Sequence, residues 1–359
     1  MQYIIYTNKG GILPMKKGSP YGTHRVLDPL GVLPQPAIKL DNNMEIYANE
    51  ILIDVQTLNI DSASFTQIRK EANDNIDEIK NTIMSIVAGR GKHHNPVTGS
   101  GGMLIGTVEK IGEDLIGKAP LKVGDKIATL VSLSLTPLRI DNIIEIRKDV
   151  DQVDIEGKAI LFESGIYAVL PNDMPENLAL SVLDVAGAPA QTAKLVKPGD
   201  TVVVLGGTGK SGMLCLYEAQ KRAGITGKII CIGSRQSTLK RVKDANLADY
   251  YIKADATNAV EILEKVKKIT KGEMADIVIN VVNIPNTEMS SILVTKDGGT
   301  IYFFSMATSF TKAALGAEGV GKDINMIIGN GYTKDHAEIA LNIMRESETL
   351  RNIFTNLYA

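Results

Sequence analysis

Between Val196 and Gly212 the chain reads VKPGDTVVVLGGTGKSG. Its residue types and spacing suit the binding of a pyrophosphate. A Pro-Gly-Asp turn feeds an apolar strand, and Gly207-x-Gly209-x-x-Gly212 then opens into an amphipathic helix. In this pattern the first glycine permits the tight turn. The second lets the backbone approach a phosphate without a Cβ in the way, and the third lets the helix pack close to its strand. The helix start offers free N–H groups and a partial positive charge. Thr208, Lys210 and Ser211 fill the gaps and join the three glycines as candidate cofactor contacts. A phosphate-binding loop of the Gly-x-x-x-x-Gly-Lys-Ser type is excluded, because Val204 stands where its first glycine is needed. A bare glycine turn is the competing reading. The preceding strand, the following helix and a second strand, KIICI, at the βαβ distance argue against it.

The second strand ends on Gly233-Ser234-Arg235. A dinucleotide site for NAD places an acidic residue there, on the ribose 2′-hydroxyl. A serine hydroxyl and a guanidinium suit a 2′-phosphate instead. The expected cofactor is therefore NADP, with Lys253 adding charge. NAD remains open if Arg235 only covers a surface turn and stacks on adenine. The nicotinamide end is expected at the later strand ends, Val281, Val282 and Asn283 with Phe304, Ser305 and Met306, since ligands of open α/β sheets sit beyond the carboxyl ends of strands.

These residues need a scaffold, and the pattern along the chain supplies one. Up to about Gly165, alternating segments such as EILIDVQT and LIGTVEKIG read as half-buried strands, with one polar helix around Ala72 to Ile86. Beyond that, strands and helices alternate, as for a parallel sheet covered on both faces. The fold class is α/β: a doubly wound Rossmann sheet plus a β-rich domain. Residues 166–315 form the dinucleotide domain. Residues 1–165 form the other domain, to which residues 316–359 are expected to return. The strand from Gly299 to Met306 could extend a sheet across a two-fold axis, which makes a homodimer the expected assembly.

The 359 residues carry a net charge of −2, with 44% apolar and 22% charged residues, so neither a nucleic acid nor a membrane is an expected partner. No apolar run is long enough to span a bilayer. The start, MQYIIYTNKGG, lacks the pattern of a signal peptide, so a cytoplasmic setting is expected. Cys215 and Cys231 lie in apolar segments and read as buried thiols.

The ordered run of KVGDKIATL, VKPGDTVVVLGGTGKSG, IICIGSR, ADIVINVV and KDGGTIYFF resembles the medium-chain dehydrogenase/reductase superfamily. That resemblance implies a GroES-like catalytic domain, a Rossmann domain and an active site in the cleft between them. The segment GTHRVLDPLGVLPQPAIKLDN, Gly22 to Asn42, is similar to the L-erythro-3,5-diaminohexanoate dehydrogenase family. This narrower resemblance implies oxidative deamination of a diamino acid to 5-amino-3-oxohexanoate and ammonium in lysine fermentation, with a nicotinamide cofactor.

Zinc enzymes of the superfamily carry a cysteine after the first long strand and a Gly-His-Glu before the Gly-x-Val strand. Here Asp61 stands near the first position, and Gly102 and Met103 replace His and Glu. A catalytic zinc needs about three protein ligands, so no metal is expected. His93 and His94, in GKHHNP, read as solvated loop residues. Loss of the metal suits an amine substrate, because a developing iminium is stabilised by carboxylates and opposed by a cation. Asp61, Glu163 and Asp184 are the candidate catalytic carboxylates. Arg25 could hold a substrate carboxylate, and His24 could relay protons. Simpler roles compete: a helix cap for Asp61, an ion pair for Asp184 and exposure for Arg25. Two other functions compete as well, a zinc-independent quinone or enoyl reductase and a non-catalytic NADPH-binding sensor.

Overall fold

The computed structural model describes residues 15–118, 120–329 and 331–359, so the N-terminal stretch read above for a signal lies outside the described residues. The chain forms two compact units, one ending at Asn172 and the other spanning Asp173–Ala359.

In the first unit a ribbon of β1 (Val26–Asp28) and β2 (Lys39–Leu40) precedes β3 (Glu50–Ile60), α1 (Ser62–Glu71), α2 (Ile76–Arg90), β4 (Gly102–Ile111), β5 (Lys126–Thr129), β6 (Leu138–Arg147), β7 (Gln152–Phe162) and β8 (Tyr167–Val169). The sheet is antiparallel in the order β6-β7-β3-β4-β5-β8. Ile53, Leu58, Phe65, Ile68, Ile79, Ile83 and Leu104 are fully buried in its core. Two helices replace the single polar helix expected around Ala72 to Ile86. Asn73 and Asp74 take left-handed backbone angles that no helix accepts. Asn75 then restarts the chain by accepting from the N–H groups of Asp77 and Glu78.

The second unit begins with α3 (Glu176–Leu183) and α4 (Gly187–Leu195). It continues through β9 (Thr201–Leu205), α5 (Lys210–Ala223), β10 (Lys228–Gly233), α6 (Gln236–Asp244), β11 (Tyr250–Lys253), α7 (Ala259–Thr270) and β12 (Ala275–Asn280). Then follow α8 (Glu288–Val294), β13 (Thr295–Phe303), α9 (Phe310–Gly319), β14 (Asn325–Ile328), α10 (His336–Glu346) and α11 (Glu348–Tyr358). The sheet order is β11-β10-β9-β12-β13-β14, and every pair is parallel. This is the doubly wound order, with its switch point between β9 and β12. Val202 to Leu205 are all fully buried, because a central parallel strand is covered on both faces.

Two expectations about the second half meet a different structure. Residues 316–359 belong to this unit: α10 packs on α3, α4 and α5, and α11 packs on α3. Ala340, Met344, Leu350 and Phe354 need an apolar partner, and helices of their own unit supply it. Helical period marks such a face without naming what covers it. The strand proposed for sheet extension, β13, lies between β12 and β14, so the edge on that side is β14.

Candidate functional site

The glycine loop joins β9 to α5 at the switch point, and its glycines do three different jobs. Gly206, which the sequence pattern passes over, is the residue in the left-handed region, with φ 82°. The turn assigned above to Gly207 therefore falls one residue earlier. A Cβ on Gly207 would lie 2.7 Å from Cys231 Sγ, and one on Gly212 would lie 2.2 Å from Gly206 O. Both are packing glycines. A Cβ on Gly209 would meet nothing closer than 3.5 Å. Gly209 thus leaves open space above the helix start, where a pyrophosphate would lie. Gly209 gives α5 no side-chain cap, so the first-turn N–H groups at Lys210, Ser211 and Gly212 lack intrahelical acceptors. Gly233 is another residue the spacing does not flag. A Cβ there would collide with Thr208 Cγ2 at 2.6 Å, so β10 closes directly on the loop.

The other cofactor candidates gather on the same sheet edge. Val281 N–H donates to Leu205 O at 3.0 Å, and Val281 and Val282 side chains lie against Gly206. Phe304 N–H donates to Asn280 O, and Ser305 Oγ lies 3.4 Å from Asn283 Oδ1. Buried Asn280 orders this edge, donating to Thr287 Oγ1 and Ser291 Oγ while accepting from Val282 N–H. Met306 is exposed. At the other end, Ser234 and Arg235 follow β10, and Lys253 stands beside Gly233 in register. A cleft of about 370 Å³ lined by Gln236, Lys240, Lys243, Asp244, Tyr251 and Lys253 adjoins them, with Lys240 paired to Asp244. The loop and the open position at Gly209 fit the pyrophosphate of a dinucleotide.

The three carboxylates do not form one cluster. Asp61 caps α1 through Ala63 N–H at 3.2 Å, with its side chain exposed. Glu163 follows β7 beside the start of β3 and accepts from Asn49 Nδ2 at 2.9 Å. Asp61 follows the other end of β3, so the 11-residue strand, about 35 Å long at about 3.3 Å per residue, lies between the two. Asp184 is the C-cap of α3, and its Oδ2 lies 2.5 Å from Lys210 Nζ on the glycine loop. It is thus an ion-pair acid, with Lys210 as its base.

Arg25 is buried, not exposed, and its donors are taken up within the first unit. Nε and Nη2 bind the two oxygens of buried Glu50 at 2.7 Å each, and Nη2 and Nη1 also donate to Glu45 O and Asn43 O at 2.6 Å. His24 Nδ1 accepts from Ser19 N–H, so Nε2 carries the proton and donates to Glu50 Oε1 at 2.8 Å. Burial raises the Glu50 carboxyl, but the Arg25 and His24 hydrogen bonds outweigh it and hold the group below its ordinary value. Arg25 and His24 therefore anchor the ribbon to β3, and neither has a donor left for a substrate.

At the far end of β3 the two altered zinc positions meet. Ile60 pairs with Gly102 and Asn59 with Met103. A Cβ on Gly102 would lie 2.1 Å from Asn59 O and 2.8 Å from Asp61 N, and φ there is +106°. A histidine side chain has no room at that position. His93 is buried rather than solvated, neither of its ring nitrogens has a hydrogen-bond partner among the described residues, and burial pushes its pKa down to about 4. Ser64 Oγ, Thr98 Oγ1 and Ser100 Oγ form a hydroxyl cluster at the start of α1. Among the described residues no group of three or more His, Cys, Asp or Glu side chains could hold a metal. Cys215 and Cys231 are free, buried thiols pushed up to about 12 by burial.

Residues 24–171 match the family described as the L-erythro-3,5-diaminohexanoate dehydrogenase N-terminal domain. Residues 212–333 match the zinc-binding dehydrogenase family, a stretch that contains neither Asp61 nor Gly102. An L-erythro-3,5-diaminohexanoate dehydrogenase of Acetoanaerobium sticklandii is 64% identical over 95% of this chain and 99% of its own. One of Fusobacterium nucleatum subsp. nucleatum is 65% identical over 96% and 100%. Among solved structures, a quinone oxidoreductase of Pseudomonas syringae pv. tomato DC3000 matches with a TM-score of 0.53 at 16% identity, over 84% of this chain and 81% of its own. A mycobacterial protein solved with NADPH matches at 0.52 and 18%, over 86% and 81%. These two likenesses show the fold, a Rossmann sheet with a second, β-rich unit. Among the described residues no helix is long and apolar enough to cross a membrane.

Proposed function

This chain belongs to the L-erythro-3,5-diaminohexanoate dehydrogenase family, and from that premise we propose that it oxidatively deaminates L-erythro-3,5-diaminohexanoate to 5-amino-3-oxohexanoate and ammonium. The observation that carries this reading is identity of 64–65% over nearly the whole chain. Bound at the glycine loop, a nicotinamide dinucleotide would accept the hydride from the substrate carbon that bears the amine. The loop N–H groups and Lys210 would hold its pyrophosphate, and the Val281–Asn283 and Phe304–Met306 segments its nicotinamide end.

On the substrate side we assign Asp61 to hold a substrate ammonium. It has an exposed carboxylate at the position where zinc relatives carry a cysteine. Loss of hydride leaves an iminium on the substrate, and a nearby carboxylate stabilises that cation. Water then adds to the iminium carbon with a base accepting its proton, and ammonia leaves carrying a proton. The steric closure at Gly102 supports a metal-free site. Glu163, at the opposite end of β3, is not placed in this step. Asp184 serves through Lys210.

Ser234 and Arg235 favour NADP over NAD. Arg235→Ala should raise the Michaelis constant for NADP much more than that for NAD, and equal effects on both would refute the preference. The assembly we include is a homodimer built through the exposed edge of β14. A monomer mass by light scattering would remove it. The decisive assay is NADP or NAD reduction with 3,5-diaminohexanoate, run beside simple alcohols and quinones. Turnover confined to quinones would replace the reading with a quinone reductase. Dinucleotide binding without turnover of any substrate would replace it with a sensor.

A further inference from the structure

The geometry points to the C-terminal helix α11 as part of the dinucleotide site, with Tyr358 acting as a positioning residue for Lys210. This inference rests on the reading of the glycine loop as a nicotinamide dinucleotide site. Leu350, Phe354 and Tyr358 lie four residues apart and share one face of α11. Leu350 and Phe354 are fully buried, which fixes the helix to its unit. The Phe354 ring meets Tyr358 edge-on, with centroids 5.1 Å apart, and so sets the orientation of the terminal ring. Lys210 Nζ lies 5.8 Å from the centroid of the Tyr358 ring.

Lys210 is the first residue of α5 and carries the loop's own cation. It is held from two sides, by the Asp184 carboxylate at 2.5 Å and by this ring. The two contacts differ in kind. A carboxylate neutralises the ammonium and competes with any arriving phosphate. A ring face attracts the ammonium through its quadrupole and leaves the full charge available. Tyr358 also lies close enough to Arg241 of α6 for that guanidinium to favour the phenolate, although burial dominates and keeps the hydroxyl above its ordinary pKa. The ring thus stands among cations from both helices that follow the cofactor-facing strand ends, α5 after β9 and α6 after β10. A lysine side chain is flexible, and a preformed seat lowers the entropy lost when it engages an anion.

The test uses the full chain, with NADPH titrated by fluorescence and with ADP and adenosine as competitors. Tyr358→Ala should weaken NADPH and ADP by about two- to fivefold and leave adenosine unchanged, since adenosine lacks the pyrophosphate. Tyr358→Phe keeps the ring and should restore most of the affinity. Tyr358→Leu keeps apolar bulk without a π face and should behave like the alanine variant. In a Lys210→Ala background, Tyr358→Ala should have no further effect. Wild-type affinity in Tyr358→Ala, or the same loss with and without Lys210, would overturn the inference. So would equal weakening of adenosine and ADP, which would make α11 a packing element only. A wild-type chain that binds neither NADPH nor NADH would instead overturn the dinucleotide reading beneath it.

Discussion

The glycine loop of the second unit and the Arg25 corner of the first both present residue types suited to binding an anion, but the structure uses them in opposite ways. In the loop, backbone donors at the start of α5 lack intrahelical acceptors, and the space over Gly209 is open. In the corner, the guanidinium is saturated by Glu50 and by the carbonyls of Asn43 and Glu45. A backbone-built site is defined by a dozen consecutive residues. A side-chain site depends on what folds onto it from elsewhere, here from a residue 25 positions away.

The sharpest way to break this comparison is Arg25→Met. If the corner is an anchor, removing one partner of a buried pair should cost about 3–5 kcal/mol, read as a lower denaturation midpoint. Any fraction that remains folded should keep its Michaelis constant for the diamino acid. If the corner instead binds a substrate carboxylate, the midpoint would hold while that constant rises steeply.

The next effect belongs to His93. Its pKa falls from 6.5 to about 4 through burial. The unfolded chain therefore binds a proton that the folded chain refuses between those values. Stability should be fully present above pH 6.5 and should decline as pH falls towards 4, by about 3 kcal/mol in all. Glu50 acts in a separate window. Its carboxyl is lowered in the fold, so its contribution is present above its unfolded value and is lost only at more acidic pH. Denaturant titrations of His93→Leu across pH 4 to 7 should show a flatter profile than wild type. Parallel profiles would mean that His93 is solvated in solution.

These cases show what the sequence could make legible. The strand–loop–helix unit, the parallel sheet and the two altered zinc positions could all be read, because each is a local pattern or a fixed spacing. The pairing of Ile60 with Gly102 came only from the register, which presses Gly102 onto the backbone of Asn59 and Asp61. The fate of Arg25 and the burial of His93 were not legible, since neither residue sits in a periodic element. The partner faces of the C-terminal helices, in α3, α4 and α5, carry no local signal. Gly206 could have been found: of two adjacent glycines after an apolar strand, either can take the left-handed position.

Within the loop itself, Gly212→Ala and Gly209→Ala separate packing from binding. The first adds a methyl 2.2 Å from a backbone oxygen and should destabilise the second unit by about 1–3 kcal/mol. The second meets open space at φ −86°, which alanine accepts. It should keep the wild-type midpoint while weakening NADPH about tenfold or more, the scale of a lost hydrogen bond to a charged group. If Gly209→Ala lowers the midpoint and leaves binding intact, the open space above the helix is not where the pyrophosphate lies.

The smallest expected effect decides the role of Asp184. Its side chain is half exposed and faces Lys210, which is about one-quarter exposed. Such a pair contributes about 0–1 kcal/mol, so Asp184→Asn should change stability little. What matters is which kinetic constant moves. If Asp184 holds Lys210, the variant changes the Michaelis constant for the dinucleotide within about fivefold, and Lys210→Ala abolishes the difference. If Asp184 instead holds the substrate ammonium, turnover falls and the dinucleotide constant stays put, whatever stands at position 210. The first outcome leaves Asp61 as the one candidate carboxylate still assigned to the amine. The second would move an acid from the cofactor loop to the substrate, and would show that an ion pair in the free protein can be given up when the amine binds.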